Sequence, residues 1–130
     1  MFQESSNSYL IQAKRKFHGA ETCFLYSNKV KSDVDVKEGN AAASLCLAVE
    51  LGLKSLYMYY NESEPPRHHN LKDILDKTPA RIPEKSRELI LELNGMYTLV
   101  RYDSEFGDVE DIDEKLTQGN KFLKYVEDEI

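Results

Sequence analysis

The sequence predicts an all-α protein, an up-and-down bundle of four long helices plus one short helix. Three observations predict it. Apolar residues recur at three- and four-residue spacing through several separate stretches, the mark of a helix with one buried stripe. No segment of several residues alternates with period two, as a half-buried strand would. One stretch, residues 40–61, is apolar nearly all round, and such a helix belongs in the middle of a bundle. A chain of 130 residues suits one core, so residues 1–130 read as a single domain.

The elements follow in order. Leu10, Ala13, Phe17, Ala20 and Phe24 align on one stripe of a first helix over residues 5–28, which Tyr9 and Leu25 widen. The stretch "KVKSDVDVKEG" (29–39) breaks that pattern with charges and a glycine and reads as a loop. Asn40 then stands where a cap would open the second helix, whose Leu45, Leu47, Ala48, Val49, Leu51, Leu53, Leu56 and Tyr57 surround most of its circumference. Glu50 and Lys54 interrupt it at i and i+4, glutamate first, the favourable order for a pair. Burying either charge alone is costly, so they are expected to be paired.

"ESEPPRHH" (62–69) is a loop punctuated by two prolines. Asn70, with Asp73 three residues on, resembles the cap of a short helix carrying Leu71, Ile74 and Leu75, which "TPARIP" (78–83) ends. Leu89, Leu93, Met96 or Tyr97, and Val100 mark a helix over 84–102. Ile112, Leu116, Gly119, Leu123, Val126 and Ile130 trace the seam of the last one.

The net charge of −6 is uneven: residues 1–102 carry +1 and residues 103–130 carry −7, with seven acids in "DSEFGDVEDIDE" (103–114). Phosphate binding over the whole surface is disfavoured, because nucleic-acid affinity rests largely on Lys and Arg neutralising phosphates. Lys14, Arg15, Lys16, Arg67 and Arg101 are candidates for a local basic face. No apolar run approaches the roughly 18–20 residues that span a bilayer, and no signal peptide opens the chain, so a cytoplasmic location is expected and no membrane. Cys23 and Cys46 fall inside helical patterns and read as buried thiols.

Arg67, His68 and His69 raise the question of a catalytic or metal cluster. Adjacent side chains at a helix entry rarely converge on one ion, and the chain has no H-x-x-x-H pair and no Cys-x-x-Cys. No metal and no cofactor are expected. There is no nucleophile-elbow motif and no phosphate-cradling glycine loop. His69 is expected to sit before the short helix and to hydrogen-bond or stack on a neighbour. The eight tyrosines, "YMYY" (57–60) among them, read as core or dimer-seam residues rather than base-stacking platforms.

Three stretches resemble a known family. "LAVELGLKSLYMYY" (47–60), with Ala48, Glu50 and Lys54, looks like the second-helix signature of HEPN domains, the higher eukaryotes and prokaryotes nucleotide-binding family. "RHHNLKDIL" (67–75), with His69, Asn70 and Leu71, resembles its His-Asp/Asn-Leu element, and "YTLVRYD" (97–103) its helix-closing Arg-Tyr. Together they place roughly residues 8–129 in the family's register. The resemblance implies a HEPN-like bundle of four or five helices, commonly a homodimer. Many members are the accessory half of a two-component nucleotidyltransferase or toxin–antitoxin system, and others are ribonucleases with an Arg-x(4–6)-His motif on a late helix.

No histidine follows Arg101 in this chain, so the standard nuclease motif is absent. The chain therefore reads as a nucleotide- or partner-binding module rather than an enzyme in its own right. Lys54, Arg67, His69, Arg101 and Tyr102 are the candidate binding residues, for a nucleotide or for a small nucleotidyltransferase partner. Glu50, Lys54 and Arg101 are alternatively a structural ion network that sets helix register. Two other readings stay open: a metal-independent ribonuclease with a rearranged Arg67, His69 and Arg101 site acting on RNA, and a purely structural dimerisation module.

Overall fold

The computed structural model describes residues 7–15, 17–18, 34–102 and 112–130, with side chains at 7–15, 17–18, 44–94 and 113–130. The described residues are helical apart from turns and connecting loops. We label the N-terminal helical residues 7–15 and 17–18 α1. They are followed by α2 (Val34–Asn61), α3 (Leu71–Asp76), α4 (Glu84–Tyr102) and α5 (Ile112–Glu129). Among the described residues no helix is long and apolar enough to cross a membrane.

The long central helix α2 packs on α5, α4 and α3. Leu45, Ala48, Val49, Leu53 and Leu56 are completely buried along it, as expected of a helix apolar on nearly every side. Leu10, Ala13 and Phe17 bring α1 into the same core, and Leu89, Ile90 and Leu93 bring α4. From α5 come Leu116, Phe122, Leu123 and Val126. Two glycines mark where α5 comes close. A Cβ on Gly52 would lie 2.8 Å from a Leu123 methyl, and one on Gly119 would lie 2.6 Å from a Leu45 methyl.

One expectation is overturned at the start of α2. Residues 34–39, read as loop, are helical, and Asn40 lies inside the helix instead of capping it. Lys37 and Glu38 are good helix formers, and a lone Gly39 costs only about 1 kcal/mol. Once α2 is nucleated by its packed half, each added residue gains a backbone hydrogen bond, which outweighs that cost. At the other end, Glu62 takes a left-handed φ of 50° while its N–H donates to the Met58 carbonyl at 3.0 Å, closing the helix. Asn61 then ties this end to the next element, donating to the carbonyls of Tyr57 and Lys77, each at 3.1 Å.

The short helix starts as its sequence predicts. Asn70 is extended and its side chain accepts from the Asp73 N–H at 3.1 Å. Leu71, Ile74 and Leu75 are buried beneath it. Residues 19–33 and 103–111 lie outside the described residues, and so therefore do Ala20, Cys23, Phe24, Leu25 and most of the acidic stretch.

Candidate functional site

Glu50 and Lys54 are one turn apart on α2, so both project from the same side of the helix. Their side chains are only 4% and 9% exposed, and the Lys54 Nζ lies 3.1 Å from Glu50 Oε2. A third group joins them from across the fold. The loop that leaves α2 carries His69 back past the helix, where its Nδ1 lies 2.8 Å from the same Glu50 Oε2. Asn70 caps α3 immediately afterwards, and Asn94 on α4 accepts the Leu71 N–H at 2.9 Å. The entry to α3 is thus pinned between α2 and α4, which fixes where His69 sits.

The result is a buried carboxylate with two cationic or potentially cationic partners on one oxygen. Glu50 Oε1 is buried and has no hydrogen-bond partner among the described residues. Leaving such an atom unmet costs about 1–3 kcal/mol, so this junction is an expensive feature of the fold. Its field reaches Cys46, one turn earlier on α2: burial first, and the Glu50 charge second, push that thiol up to about 12. Cys46 is a free, buried and unreactive thiol whose Sγ lies 4.0 Å from the Leu93 carbonyl.

His69 itself is about half exposed. The junction therefore has a buried carboxylate–ammonium pair underneath and an imidazole at the surface. His68 turns the other way. Its Nε2 meets Asp73 Oδ2 at 2.7 Å and its Nδ1 accepts from the Asn70 N–H at 3.1 Å, so it braces the start of α3. The two adjacent rings diverge. No group of three metal-ligating side chains exists among the described residues.

The structure thus joins Glu50, Lys54 and His69, and Arg67 lies exposed on the same loop as His69. Arg101 and Tyr102 close α4, but their side chains lie outside the described residues. Along the helix axis Arg101 is about 10 Å beyond Asn94, the α4 residue that meets the α3 entry. His69 was not expected in the ion network. Nothing in the spacing of residues 50 and 69 signals the contact, since it depends on the path of the intervening loop. Of the proposed basic face, Lys14 and Arg15 are exposed, and Lys14 is paired across to α5 with Glu127 at 2.9 Å.

A second polar cluster closes the far end of α2. The Tyr60 hydroxyl donates to Glu129 on α5, which, with burial, raises it to about 12. Tyr59 meets Tyr60 edge-on with ring centres 5.2 Å apart. Tyr57, Tyr59 and Tyr60 are all partly buried.

An α-helical bundle whose middle helix carries a buried Glu-x-x-x-Lys pair, with a histidine from the next loop laid on it, defines a class of helical module. The HEPN domain model matches residues 28–129, and the chain belongs to the HEPN domain family. Membership supports a nucleotide-binding or RNase-like module in general terms, and HEPN domains often dimerise. Neither the curated proteins nor the solved structures contain a match to this chain.

Proposed function

We propose that the chain is a single domain over residues 1–130 that binds a nucleotide or a partner protein at the His69 corner. In this reading it is the accessory subunit of a two-component nucleotidyltransferase or toxin–antitoxin system, cytoplasmic and homodimeric. Arg67, His69, Arg101 and Tyr102 make the contacts, and Lys54 acts beneath them as the counter-charge of Glu50. The supporting observation is the junction itself, in which a buried carboxylate holds a half-exposed imidazole on a loop that also carries the exposed Arg67. Such an arrangement suits phosphate or carboxylate groups, because arginine offers paired donors in a planar fork.

The test is a tagged pull-down at native expression, with mass spectrometry and nucleotide analysis of the eluate. The expected result is a small nucleotidyltransferase in fixed ratio or a bound nucleotide. Recovery of neither overturns the reading. A second reading, a metal-independent ribonuclease, draws on the same observation, since a carboxylate-held histidine is a common proton acceptor. It requires RNA cleavage that is lost in both His69→Ala and Arg101→Ala proteins.

A further inference from the structure

The N-terminal helix α1 meets α5 at two points. At one, the Phe17 ring packs against Gly119, where an added Cβ would stand 3.2 Å from it. At the other, the Lys14 Nζ reaches Glu127 at 2.9 Å. Three residues of α1 separate these points, but eight of α5, about 5 Å of helix rise against about 12 Å. The two helices are therefore skewed, and long side chains close the second point. Between them lies a cleft of about 350 Å³, lined by Lys14 and Phe17 on α1 and by Asn120, Leu123, Lys124 and Glu127 on α5.

The cleft is apolar below and polar above. Phe17 and Leu123 belong to the core and form its floor, while Lys14, Asn120, Lys124 and Glu127 are exposed around its rim. Lys14 and Glu127 neutralise each other. Lys124 has no ion pair among the described residues, and the side-chain amide of Asn120 has no hydrogen bond there. His18 is already engaged and serves only as wall. One uncompensated cation and one amide thus converge over an apolar floor, a usual make-up for a small-ligand site.

We propose that this cleft binds a small monoanion with a flat apolar body, the class of the aromatic carboxylates. The carboxylate accepts from the Lys124 ammonium and the Asn120 amide. The ring rests on Phe17 and Leu123, flanked by the alkyl stem of Lys14. A phosphate monoester carries about 1.5–2 negative charges at neutral pH, more than a single lysine answers. The volume, near the lower end of the range of roughly 300–1,000 Å³ for ligand sites, suits one such ring. The cleft shares no residue with the His69 corner and does not depend on what binds there.

The experiment is a titration of the intact chain, followed in amide proton–nitrogen correlation spectra at neutral pH and constant ionic strength. The probes are benzoate, its neutral isostere benzamide, and adenosine 5′-monophosphate. Benzoate is expected to move the amides of residues 119–124 saturably, and benzamide to bind about tenfold more weakly, one charge-assisted hydrogen bond being lost. Lys124→Met, a change at an exposed position, should weaken benzoate by a similar factor. Lys121→Met, on the same helix but outside the cleft, should leave it unchanged.

Equal binding of benzoate and benzamide, or equal effects of the two lysine changes, overturns the anion site. So does the lack of any saturable shift at these amides up to about 20 mM benzoate, where even an inefficient ligand of this size binds. Adenosine 5′-monophosphate held at the same amides more tightly than benzoate overturns the choice of a monoanionic carboxylate.

Discussion

His68 and His69 make almost the same contact, a ring nitrogen 2.7 or 2.8 Å from a carboxylate, in two different settings. Asp73, the partner of His68, is about one-third exposed and shares its charge with Lys77 on the surface of α3. Glu50, the partner of His69, is 4% exposed and sits in the middle of the bundle with Lys54. Geometry alone does not rank the two. Water and salt screen the exposed pair, whereas the Glu50 carboxylate is held out of water, where its contacts with Lys54 and His69 are screened far less. The first contact shapes a helix end. The second ties a loop to the core and leaves an imidazole half exposed.

The comparison is broken most severely at Lys54. Replacing it with Met strands the Glu50 charge, and urea unfolding should show a loss of about 3 kcal/mol. Removing both charges in a Glu50→Leu, Lys54→Met protein should recover most of that loss, because the pair as a whole is nearly neutral against an apolar replacement. A single Lys54→Met protein as stable as one carrying Lys72→Met, whose pairing with Asp76 is exposed, would show that the junction is not energetically buried.

Gly52 offers a change in the same stretch of α2 that alters no charge. Valine there drives a side chain into Leu123 and Phe122, so about 1–3 kcal/mol should be lost by overpacking. The proton–nitrogen spectrum of the His69 ring should be unchanged if the junction is held by its own contacts.

Two titrations sharpen the contrast further. Tyr60 is raised to about 12 by its bond to Glu129, so its stabilisation is complete below the ordinary tyrosine range and is lost as pH rises through about 12. Tyrosinate absorbance should therefore show a late component that shrinks in a Tyr60→Phe protein, the remainder coming from Tyr125, which burial and then Glu129 also raise. Asp73 runs in the opposite sense. Lys77 and then His68 hold its carboxyl below the usual range, so its contribution is present at neutral pH and is lost in acid as pH falls through that lowered value. Because Asp73 lies at the surface, Asp73→Asn and His68→Ala should each shift the acid unfolding curve only slightly, the smallest effects expected here.

Much of the fold was legible in the spacing of apolar residues. The α5 seam at Leu116, Leu123 and Val126 is buried as its heptad-like pattern implies. Phe122 was not on that seam, yet it is completely buried. A helix in a globular bundle buries a stripe wider than an a/d line, and the flanking position is filled by the largest side chain. Ile90, beside Leu89 on α4, escaped for the same reason. The beginning of α2 was hidden because charge and glycine mark loops only on average, and packing further along the helix overrode them.

The candidate site divides in the same way. Glu50 and Lys54 were legible as an i, i+4 pair within one helix, where spacing dictates contact. The bond from His69 was not, because it spans 19 positions and follows from how a proline-containing loop returns to α2. The role of His68 as a brace for α3 was equally hidden, since it depends on which way each ring turns.

The central claim is that Glu50 and His69 act as one unit whereas Asp73 and His68 barely do. It is tested most directly by two double-mutant cycles on unfolding free energy, Glu50→Ala with His69→Ala and Asp73→Ala with His68→Ala. A coupling of about 1 kcal/mol is predicted between Glu50 and His69, and no measurable coupling between Asp73 and His68. Equal couplings, or none between Glu50 and His69, would contradict the account.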